Sequence, residues 1–230
     1  MDGDVAVVEV ARAETERGEV VLRRRTSEGP DVLELRVNGV FVMDTLETGT
    51  EIALAAAALD LVPDPRDVVV GGLGLGFTAG RVLADTRVER VLVVEIEESL
   101  VGWMRNGTVP HGPALLADRR LKIINADILM AIAEARSTYD LILLDVDNGP
   151  GYLVHDDNAR VYEQSFLSRC GDLLNPGGVL AIWSASAEPE LLAAMRAVFA
   201  DAEEQAHDVL LQDRPETFYL YVARAATSPF

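Results

Sequence analysis

The first sixty residues alternate between apolar and polar positions in four short stretches separated by turn-forming residues. The stretches read VAVVEVA, EVVLRRR, VLELRVN and VFVMD. Alternation with this period predicts half-buried strands, and the short connections predict antiparallel hairpins. From about Glu47 to Leu61 an Ala/Leu-rich run predicts a helix that Pro63 and Pro65 end. We therefore predict a small antiparallel β-hairpin region with its linking helix over residues 1–62.

After Arg66, unbroken apolar runs alternate with amphipathic stretches. Runs rich in Val, Ile and Leu predict strands buried on both faces, as in a parallel sheet between two helical layers. The predicted strands read DVVVGG, RVLVVEI, LKIINAD, YDLILLDVD and GVLAIWSAS, and the predicted helices read FTAGRVLADT, SLVGWMR, ILMAIAEAR, ARVYEQSFLSRCGDLL and EPELLAAMRAVFADA. HDVLLQ and ETFYLYVARA, joined by DRPE, predict an antiparallel pair at the sheet edge. Residues 63–230 are thus predicted to form a doubly wound, mostly parallel, seven-stranded α/β domain.

The composition narrows the class of partner. Asp and Glu number 38 and Lys and Arg 20, which gives a formal net charge of -18. A chain with this negative charge repels phosphate backbones, and we therefore expect no nucleic-acid partner. Cys170 is the single cysteine, which excludes an internal disulfide and a multi-cysteine zinc site, and its spacing predicts a buried helix position. The amino terminus lacks a signal-peptide pattern and the apolar runs are short, so we expect a cytoplasmic protein without a membrane partner.

A glycine-rich turn follows the first strand of the predicted α/β domain. The stretch VVGGLGLGFTA places Gly71, Gly72, Gly74 and Gly76 between a strand and a helix. Glycine permits positive φ and lets a ligand lie against the backbone beside a helix amino terminus. Alone, this pattern predicts a nucleotide-like ligand, and a tight turn without a ligand is the alternative.

Acidic residues follow the next three strands. The second strand ends at Glu95, about twenty residues after the glycine turn, where a carboxylate can accept hydrogen bonds from both ribose hydroxyls. The third strand is followed by Asp127, and the fourth by Asp145 and Asp147. Because ligands of open α/β sheets bind at the carboxyl ends of the strands, these side chains predict one shared crevice.

This order of motifs resembles the class I methyltransferase superfamily and, within it, the spermidine synthase (polyamine aminopropyltransferase) branch. The branch resemblance rests on the hairpin region, the helix ahead of the glycine turn, YDLILLD followed by Gly149 and Pro150, and VYEQSFL leading to LNPGGVL. It implies a Rossmann-like sheet with a reversed last strand. It also implies S-adenosylmethionine or its decarboxylated form as the cofactor, and a homodimer in contact through the amino-terminal sheet.

The resemblance also assigns roles to the residues at the predicted crevice. Glu95 would hold the ribose, and Asp127 the adenine amino group. Ile96 and Ile128 would flank the adenine ring, and Asp145 would face the reacting centre. With the four glycines of the turn, these residues form the predicted cofactor-binding set.

Two departures from the family pattern bear on the reaction. Spermidine synthases carry an Asp in the glycine loop, where this chain has Gly74 or Leu75. A carboxylate there would attract the decarboxylated, locally cationic donor and repel the carboxylate of S-adenosylmethionine. The polyamine-contacting Gln and Tyr-His pair are also missing from residues 40–43 and 48–51. We therefore interpret the chain as a transferase of a methyl or related alkyl group to a small acceptor, with an amine among the candidates. An aminopropyltransferase and a non-catalytic protein of this fold are the alternatives.

Three residues remain as catalytic candidates. Methyl transfer from a sulfonium needs chiefly alignment of nucleophile, carbon and sulfur, with an optional base. Asp145 would orient the acceptor or take its proton, with Asp147 beside it in the same motif. His155 is a candidate base, and a local hydrogen-bonding role is its alternative. Asp145 and Asp147 also resemble a pair in catechol-type O-methyltransferases, but the next strand ends in WSAS without a carboxylate, so we expect no metal.

Overall fold

The computed structural model describes residues 6–26, 29–212 and 214–227. The outer ends of both predicted regions, residues 1–5 and 228–230, lie outside this part of the chain. So do residues 27–28 and 213, in two predicted connections. The strands are β1 (Ala6–Thr15), β2 (Gly18–Thr26), β3 (Val32–Val37), β4 (Val40–Asp44), β5 (Asp67–Gly71), β6 (Arg90–Glu95), β7 (Leu121–Asn125), β8 (Tyr139–Leu144), β9 (Leu174–Ser184), β10 (Asp201–Leu211) and β11 (Arg214–Arg224). The α-helices are α1 (Gly49–Leu61), α2 (Phe77–Leu83), α3 (Glu98–Asn106), α4 (Gly112–Leu116), α5 (Ile128–Glu134), α6 (Gln164–Leu173) and α7 (Pro189–Val198).

The amino-terminal sheet consists of β1 to β4 in sequence order, all antiparallel, as the alternating pattern predicts. Asn38 and Gly39 form the β3–β4 turn with φ of 51° and 77°, the left-handed geometry that favours Asn-Gly in a tight hairpin. The Asn38 side chain also bonds to the neighbouring β1–β2 turn. Its Oδ1 accepts the N–H of Glu19 at 3.0 Å, and its Nδ2 donates to the carbonyl of Arg17 at 3.1 Å. Asn38 therefore fixes the position of Arg17.

The second sheet has the strand order β10-β11-β9-β8-β5-β6-β7. β5 to β9 are parallel, whereas β11 runs antiparallel to β9 and β10 antiparallel to β11. This confirms the predicted doubly wound, mostly parallel, seven-stranded fold with a reversed terminal strand. Helices α1 to α3 pack on one face and α5 to α7 on the other, so residues 141–144 of β8 are buried on both sides. The strand order reverses between β5 and β8, the place where open α/β sheets bind ligands.

Two predicted elements have different boundaries in the structure. The predicted helix ARVYEQSFLSRCGDLL is divided into a 3-10 helix, Asp156–Tyr162, and α6, because Glu163 adopts an extended conformation with ψ of 146°. β10 begins at Asp201, six residues before the predicted start, and α7 ends at Val198. Asp201 and Ala202 were predicted to end the preceding helix, but they pair with Arg224 and Ala223 of β11 and therefore belong to the strand. Tertiary pairing overrides local helix propensity here.

The two regions are joined through α1 and a shared apolar core. The core beneath the amino-terminal sheet continues into α1 and α2, and α1 packs on α2 and β9. The boundary between residues 62 and 63 stays a prediction. Cys170 is fully buried in α6, as its spacing predicts. Within the described ranges, no helix is long and apolar enough to cross a bilayer.

Asp140 connects three strands at the end of the sheet opposite the glycine turn. Its Oδ2 accepts the backbone N–H groups of Arg66 and Asp67, both at 2.9 Å, and its Oδ1 accepts from Asn175 Nδ2 at 2.7 Å. We predict that Asp140→Ala lowers the free energy of unfolding by about 2 kcal/mol, because three donors lose their acceptor. Urea unfolding measures this loss, with Asp172→Ala on the exposed surface of α6 as the control. A loss no larger than that of the control would contradict the assignment.

Candidate active site

A cleft lies between the amino-terminal sheet and the carboxyl ends of β5, β6, β7 and β8. It encloses about 1020 Å³ of empty space, counting the part open to solvent. Most of the residues predicted from the strand ends and the following loop line it together: Gly72, Gly74, Glu95, Ile96, Asp127, Ile128, Asp145, Asp147 and His155. Gly71 and Gly76 are not among its lining residues; they lie at the end of β5 and directly before α2. The predicted shared crevice is therefore present, and the roles of its residues stay predictions.

The glycine turn is confined by its neighbours. Gly72 has φ of 88°, and a Cβ there would lie 2.0 Å from the carbonyl oxygen of Asp145, so only glycine fits. Gly74 has φ of 49°, and its Cβ would lie 2.7 Å from Met43 Sδ. The same sulfur accepts the N–H of Leu75 at 3.2 Å. Met43 of the amino-terminal sheet thus occupies the space that a side chain at position 74 would need.

Glu95 joins the glycine turn to the end of β6. Its Oε2 accepts the N–H of Leu73 at 2.8 Å, and its Oε1 accepts the N–H of Glu97 at 2.7 Å. Burial raises the pKa of Glu95, and these backbone bonds oppose that rise. A carboxylate offers about four acceptor positions, so two bonds leave room for the hydroxyl groups of a ribose.

The predicted adenine-binding residues lie beside Glu95. Ile96 follows it directly, and Asn125 Nδ2 donates to the carbonyl groups of Glu95 and Ile96, both at 2.9 Å. Asp127 caps α5, and its Oδ1 accepts the N–H of Leu129 at 2.8 Å. Ile96 and Ile128 both line the cleft, so the two apolar side chains and Asp127 are available to one flat ring.

Asp145 shares the cleft with a second carboxylate, that of the buried Glu51 in α1. Thr78 Oγ1 donates to Asp145 Oδ2 at 2.7 Å, and burial raises the pKa of Asp145. Burial, followed by the negative charge of Asp145, raises the pKa of Glu51 to about 8. Glu51 was not among the predicted site residues, because an acid in the first turn of a helix is ordinary. Its position on the buried face of an Ala/Leu-rich helix was the available signal.

The Asp147 carboxylate accepts hydrogen bonds from the loop that follows it. Its Oδ1 accepts the N–H groups of Asn148 and Val154 at 2.7 and 2.8 Å, and its Oδ2 accepts from Asn158 Nδ2 at 2.6 Å. These bonds hold residues 148–158 along the cleft, where Asn148, Val154, His155 and Asn158 contribute to its lining. The contacts support a positioning role for Asp147, and its predicted catalytic role is untested.

Three further polar atoms in the cleft are buried without a hydrogen-bond partner in the described part of the chain: Arg17 Nε, His155 Nε2 and Trp183 Nε1. Arg17 comes from the β1–β2 turn, and its Nε lies 3.7 Å from Glu97 Oε1. Arg17 was not among the predicted site residues, because the sequence of a hairpin turn does not indicate which surface the hairpin packs against.

The charges lining the cleft are unequal. Against Arg17, the one arginine or lysine among the described lining residues, stand six carboxylates: Glu51, Glu95, Glu97, Asp127, Asp145 and Asp147. Such a lining favours cationic groups, for example a sulfonium or an ammonium. Within the ranges that the structure describes, no group of three or more His, Cys, Asp or Glu residues is arranged to hold a metal ion.

Comparisons with known proteins agree with this architecture. Polyamine aminopropyltransferase 2 of Pseudomonas aeruginosa is 29% identical over 123 residues, which cover 52% of this chain and 33% of that protein. The match covers 33% of the Pseudomonas protein, and the match to the polyamine aminopropyltransferase of Aeropyrum pernix covers 58% of that protein. The chain therefore spans only part of the length of these relatives. A spermidine synthase solved in complex with the transition state analogue AdoDATO superposes with a TM-score of 0.81 at 16% identity, covering 96% of this chain and 75% of that one.

The same fold occurs in human methyltransferase-like protein 13, solved in complex with SAH, with a TM-score of 0.56 at 25% identity, covering 77% of this chain and 80% of that one. The family assignment rests on a different finding. Residues 48–219, well over half of the chain, match the model of the spermine/spermidine synthase domain. This match includes α1 with Glu51, the glycine turn and the carboxyl ends of β5, β6, β7 and β8. The chain therefore belongs to the spermine/spermidine synthase family.

Proposed function

We propose that this protein transfers an aminopropyl group from decarboxylated S-adenosylmethionine to an amine. The observation that carries the proposal is the pair of carboxylates formed by the buried Glu51 and the half-buried Asp145, beside the glycine turn. A sulfonium donor and an amine acceptor are both cationic in water, and buried carboxylates without a nearby cation are costly. A cationic ligand between them lowers that cost. Family membership supports the same chemistry.

The predicted donor contacts orient the donor within the cleft. With the ribose on Glu95 and the adenine between Ile96 and Ile128, the sulfonium lies near the glycine turn and Asp145. The amine nitrogen attacks the aminopropyl carbon bonded to sulfur, the carbon–sulfur bond breaks, and its electron pair stays on sulfur, which leaves a neutral thioether. The acceptor is an ammonium in water, so it must lose one proton before it attacks, and the new C–N bond then restores the positive charge on its nitrogen.

Asp145 and Glu51 are suited to the handling of this proton. An acceptor amine attacks only when unprotonated, so a neighbouring base whose pKa lies near neutrality assists it. Glu51 has a pKa of about 8, raised first by burial and then by the charge of Asp145. A bound ammonium favours the ionised form of Glu51, so the two carboxylates can hold the acceptor by charge and take its proton before it attacks.

This proposal departs from the preference for methyl transfer stated under Sequence analysis. That preference rested on the missing carboxylate at Gly74 or Leu75 and on the missing polyamine-contacting Gln and Tyr-His pair. In the structure, Met43 fills the space before Gly74, and Glu51 brings a carboxylate into the same cleft from α1. The hydroxyl of Thr78, the second residue of α2, lies 3.4 Å from the carbonyl oxygen of Glu51, which places Glu51 next to the glycine turn. Methyl transfer from S-adenosylmethionine is the second candidate, because Gly74 itself carries no charge.

We also propose the homodimer that the family resemblance implies. The amino-terminal sheet is the surface we assign to it, because Val7 and Val8 are 56% and 59% exposed on the edge strand β1. Exposed apolar side chains on an unpaired edge favour association with another chain.

The donor preference tests the proposed reaction. We predict that decarboxylated S-adenosylmethionine binds about 10-fold more tightly than S-adenosylmethionine, because the extra carboxylate would face Glu51 and Asp145. Isothermal titration calorimetry with both compounds measures this ratio. Tighter binding of the carboxylated donor would instead favour methyl transfer, and binding of neither would indicate a non-catalytic protein.

Replacement of Glu95 tests the donor site. We predict that Glu95→Gln weakens binding of the decarboxylated donor by about 10- to 100-fold, because charge-assisted hydrogen bonds to the ribose are lost. Calorimetry measures the change, with Glu89→Gln, at the exposed position just before β6, as the matched control. Thermal unfolding of both variants separates a donor effect from damage to the turn at Leu73. Unchanged affinity in a folded Glu95→Gln protein would refute the ribose assignment.

The raised pKa of Glu51 predicts a pH dependence of stability. Between its ordinary value of 4.5 and about 8, the folded state binds the Glu51 proton more strongly than the unfolded state, so stability falls as the pH rises through this window. Glu51→Gln removes this contribution. We predict that between pH 5 and pH 8 the variant loses about 3 kcal/mol less free energy of unfolding than the parent protein. Urea unfolding at several pH values, with Glu98→Gln as the exposed control, tests this, and parallel pH profiles would contradict it.

A further inference from the structure

Arg17 and His155 are two hydrogen-bond donors in the cleft whose roles the proposed reaction leaves open. Arg17 Nε and His155 Nε2 are both buried, and within the described residues neither has a hydrogen-bond partner. Most buried polar atoms in folded proteins are bonded, so such atoms call for a partner supplied by a ligand or by water. Both side chains line the cleft, so a ligand bound there can contact both.

Arg17 lies at the end of the cleft assigned to the nucleoside. Its guanidinium approaches Glu97, with 3.7 Å between Nε and Oε1, and Glu97 directly follows the predicted adenine neighbour Ile96. The Arg17 side chain is 28% exposed and that of Glu97 9% exposed, so the ion pair lies at the edge of the cleft. Asn38 holds the backbone of Arg17, so the direction of approach is set by the hairpin.

His155 lines the same cleft and comes from the loop that follows β8. It belongs to the loop that Asp147 holds through the N–H of Val154 and the side chain of Asn158. Burial, followed by the positive charge of Arg17, lowers the pKa of His155 against the opposing charges of Asp147, Asp157 and Asp156, which favours a neutral imidazole. A neutral imidazole has one donor and one acceptor nitrogen, so it suits an uncharged polar ligand.

The other end of the cleft is chemically distinct. The pKa values of Glu51 and Asp145 respond chiefly to burial, and Glu51 also to the charge of Asp145, whereas Arg17 acts on Glu97 and His155. The carboxylate pair is therefore placed for the cationic reacting groups. Arg17 and His155 are placed for the part of the donor that carries hydrogen-bond acceptors and no charge, which is the adenosine.

We propose that Arg17 and His155 form a clamp over the adenosine of the donor, each donating a hydrogen bond to a ring nitrogen or a ribose oxygen. The clamp rests on the proposed function, since it takes an S-adenosyl sulfonium as the ligand. It connects the amino-terminal sheet to the loop of residues 148–158 through the bound nucleoside. Glu97 offsets the charge of Arg17, which fits an uncharged ligand. The same contacts are available to the product nucleoside, 5′-methylthioadenosine.

The clamp is tested with 5′-methylthioadenosine, which contains the adenosine but neither the sulfonium nor the amine. We predict that Arg17→Met and His155→Leu each weaken its binding about 5- to 30-fold, as expected for one lost hydrogen bond in a buried site. The double variant is expected to lose less than the product of the two single losses, because either change alone opens the clamp. Isothermal titration calorimetry on the full chain measures all four affinities.

Arg12→Met is the matched control. Arg12 lies on the same hairpin and is paired with Glu9 and Glu19 outside the cleft, so its replacement should leave the affinity unchanged. Arg17→Lys keeps the charge but loses the Nε–H donor, and we expect it to weaken binding as Arg17→Met does. Hydrogen–deuterium exchange gives a second measurement. The nucleoside should protect residues 16–18 and 148–158 in the parent protein, and each single variant should lose protection in both segments.

The possible failures are distinguishable. If the parent protein binds 5′-methylthioadenosine and both single variants bind it within about twofold of the parent, the clamp is wrong and the proposed function stands. If the parent protein binds neither 5′-methylthioadenosine nor the decarboxylated donor, the proposed function fails and the clamp fails with it. Weaker binding by the Arg12→Met control would assign the effect to the hairpin as a whole and would also overturn the clamp.

Discussion

The cost of burying carboxylates determines how the cleft is built. A carboxylate removed from water requires hydrogen-bond donors or a countercharge, and each buried acid here obtains them in a different way. Glu95 takes two backbone N–H groups and thereby fixes the glycine turn. Asp147 takes donors from its own loop and holds that loop along the cleft. The acids therefore organise the backbone that surrounds the ligand as well as the ligand itself.

Glu51 and Asp145 are the exception to this rule. Thr78 donates to Asp145, and the Glu51 carboxyl accepts from Thr50 Oγ1 at 3.2 Å and from the backbone N–H of Glu51 itself, whereas the Glu95 carboxyl accepts N–H groups from two other residues. Their raised pKa values express this incomplete compensation. A cation placed between them would complete it. The two carboxyl groups whose burial is least compensated thus lie where the proposed transfer takes place.

The sequence was sufficient for those parts of the fold and the site that follow from strand geometry. In a parallel sheet the ends of neighbouring strands meet at one edge, which brings Glu95, Asp127 and Asp145 together whatever the loops do. Arg17 could not be predicted, because it reaches the cleft through the docking of a hairpin far away along the chain. The bonding of Asp147 depends on the conformation of the following loop, and the extended conformation of Glu163 divides a stretch with helical periodicity.

The packing of Met43 against the glycine turn couples two distant positions of the chain. A side chain at position 74 meets the Met43 sulfur, although the φ of 49° at that position is one that Asp and Asn tolerate. A carboxylate at position 74 would therefore require the flexible Met43 side chain to move or to be replaced by a smaller one. Substitutions at positions 43 and 74 are thus expected to be non-additive, so the chemistry of the donor loop depends in part on a strand of the hairpin sheet.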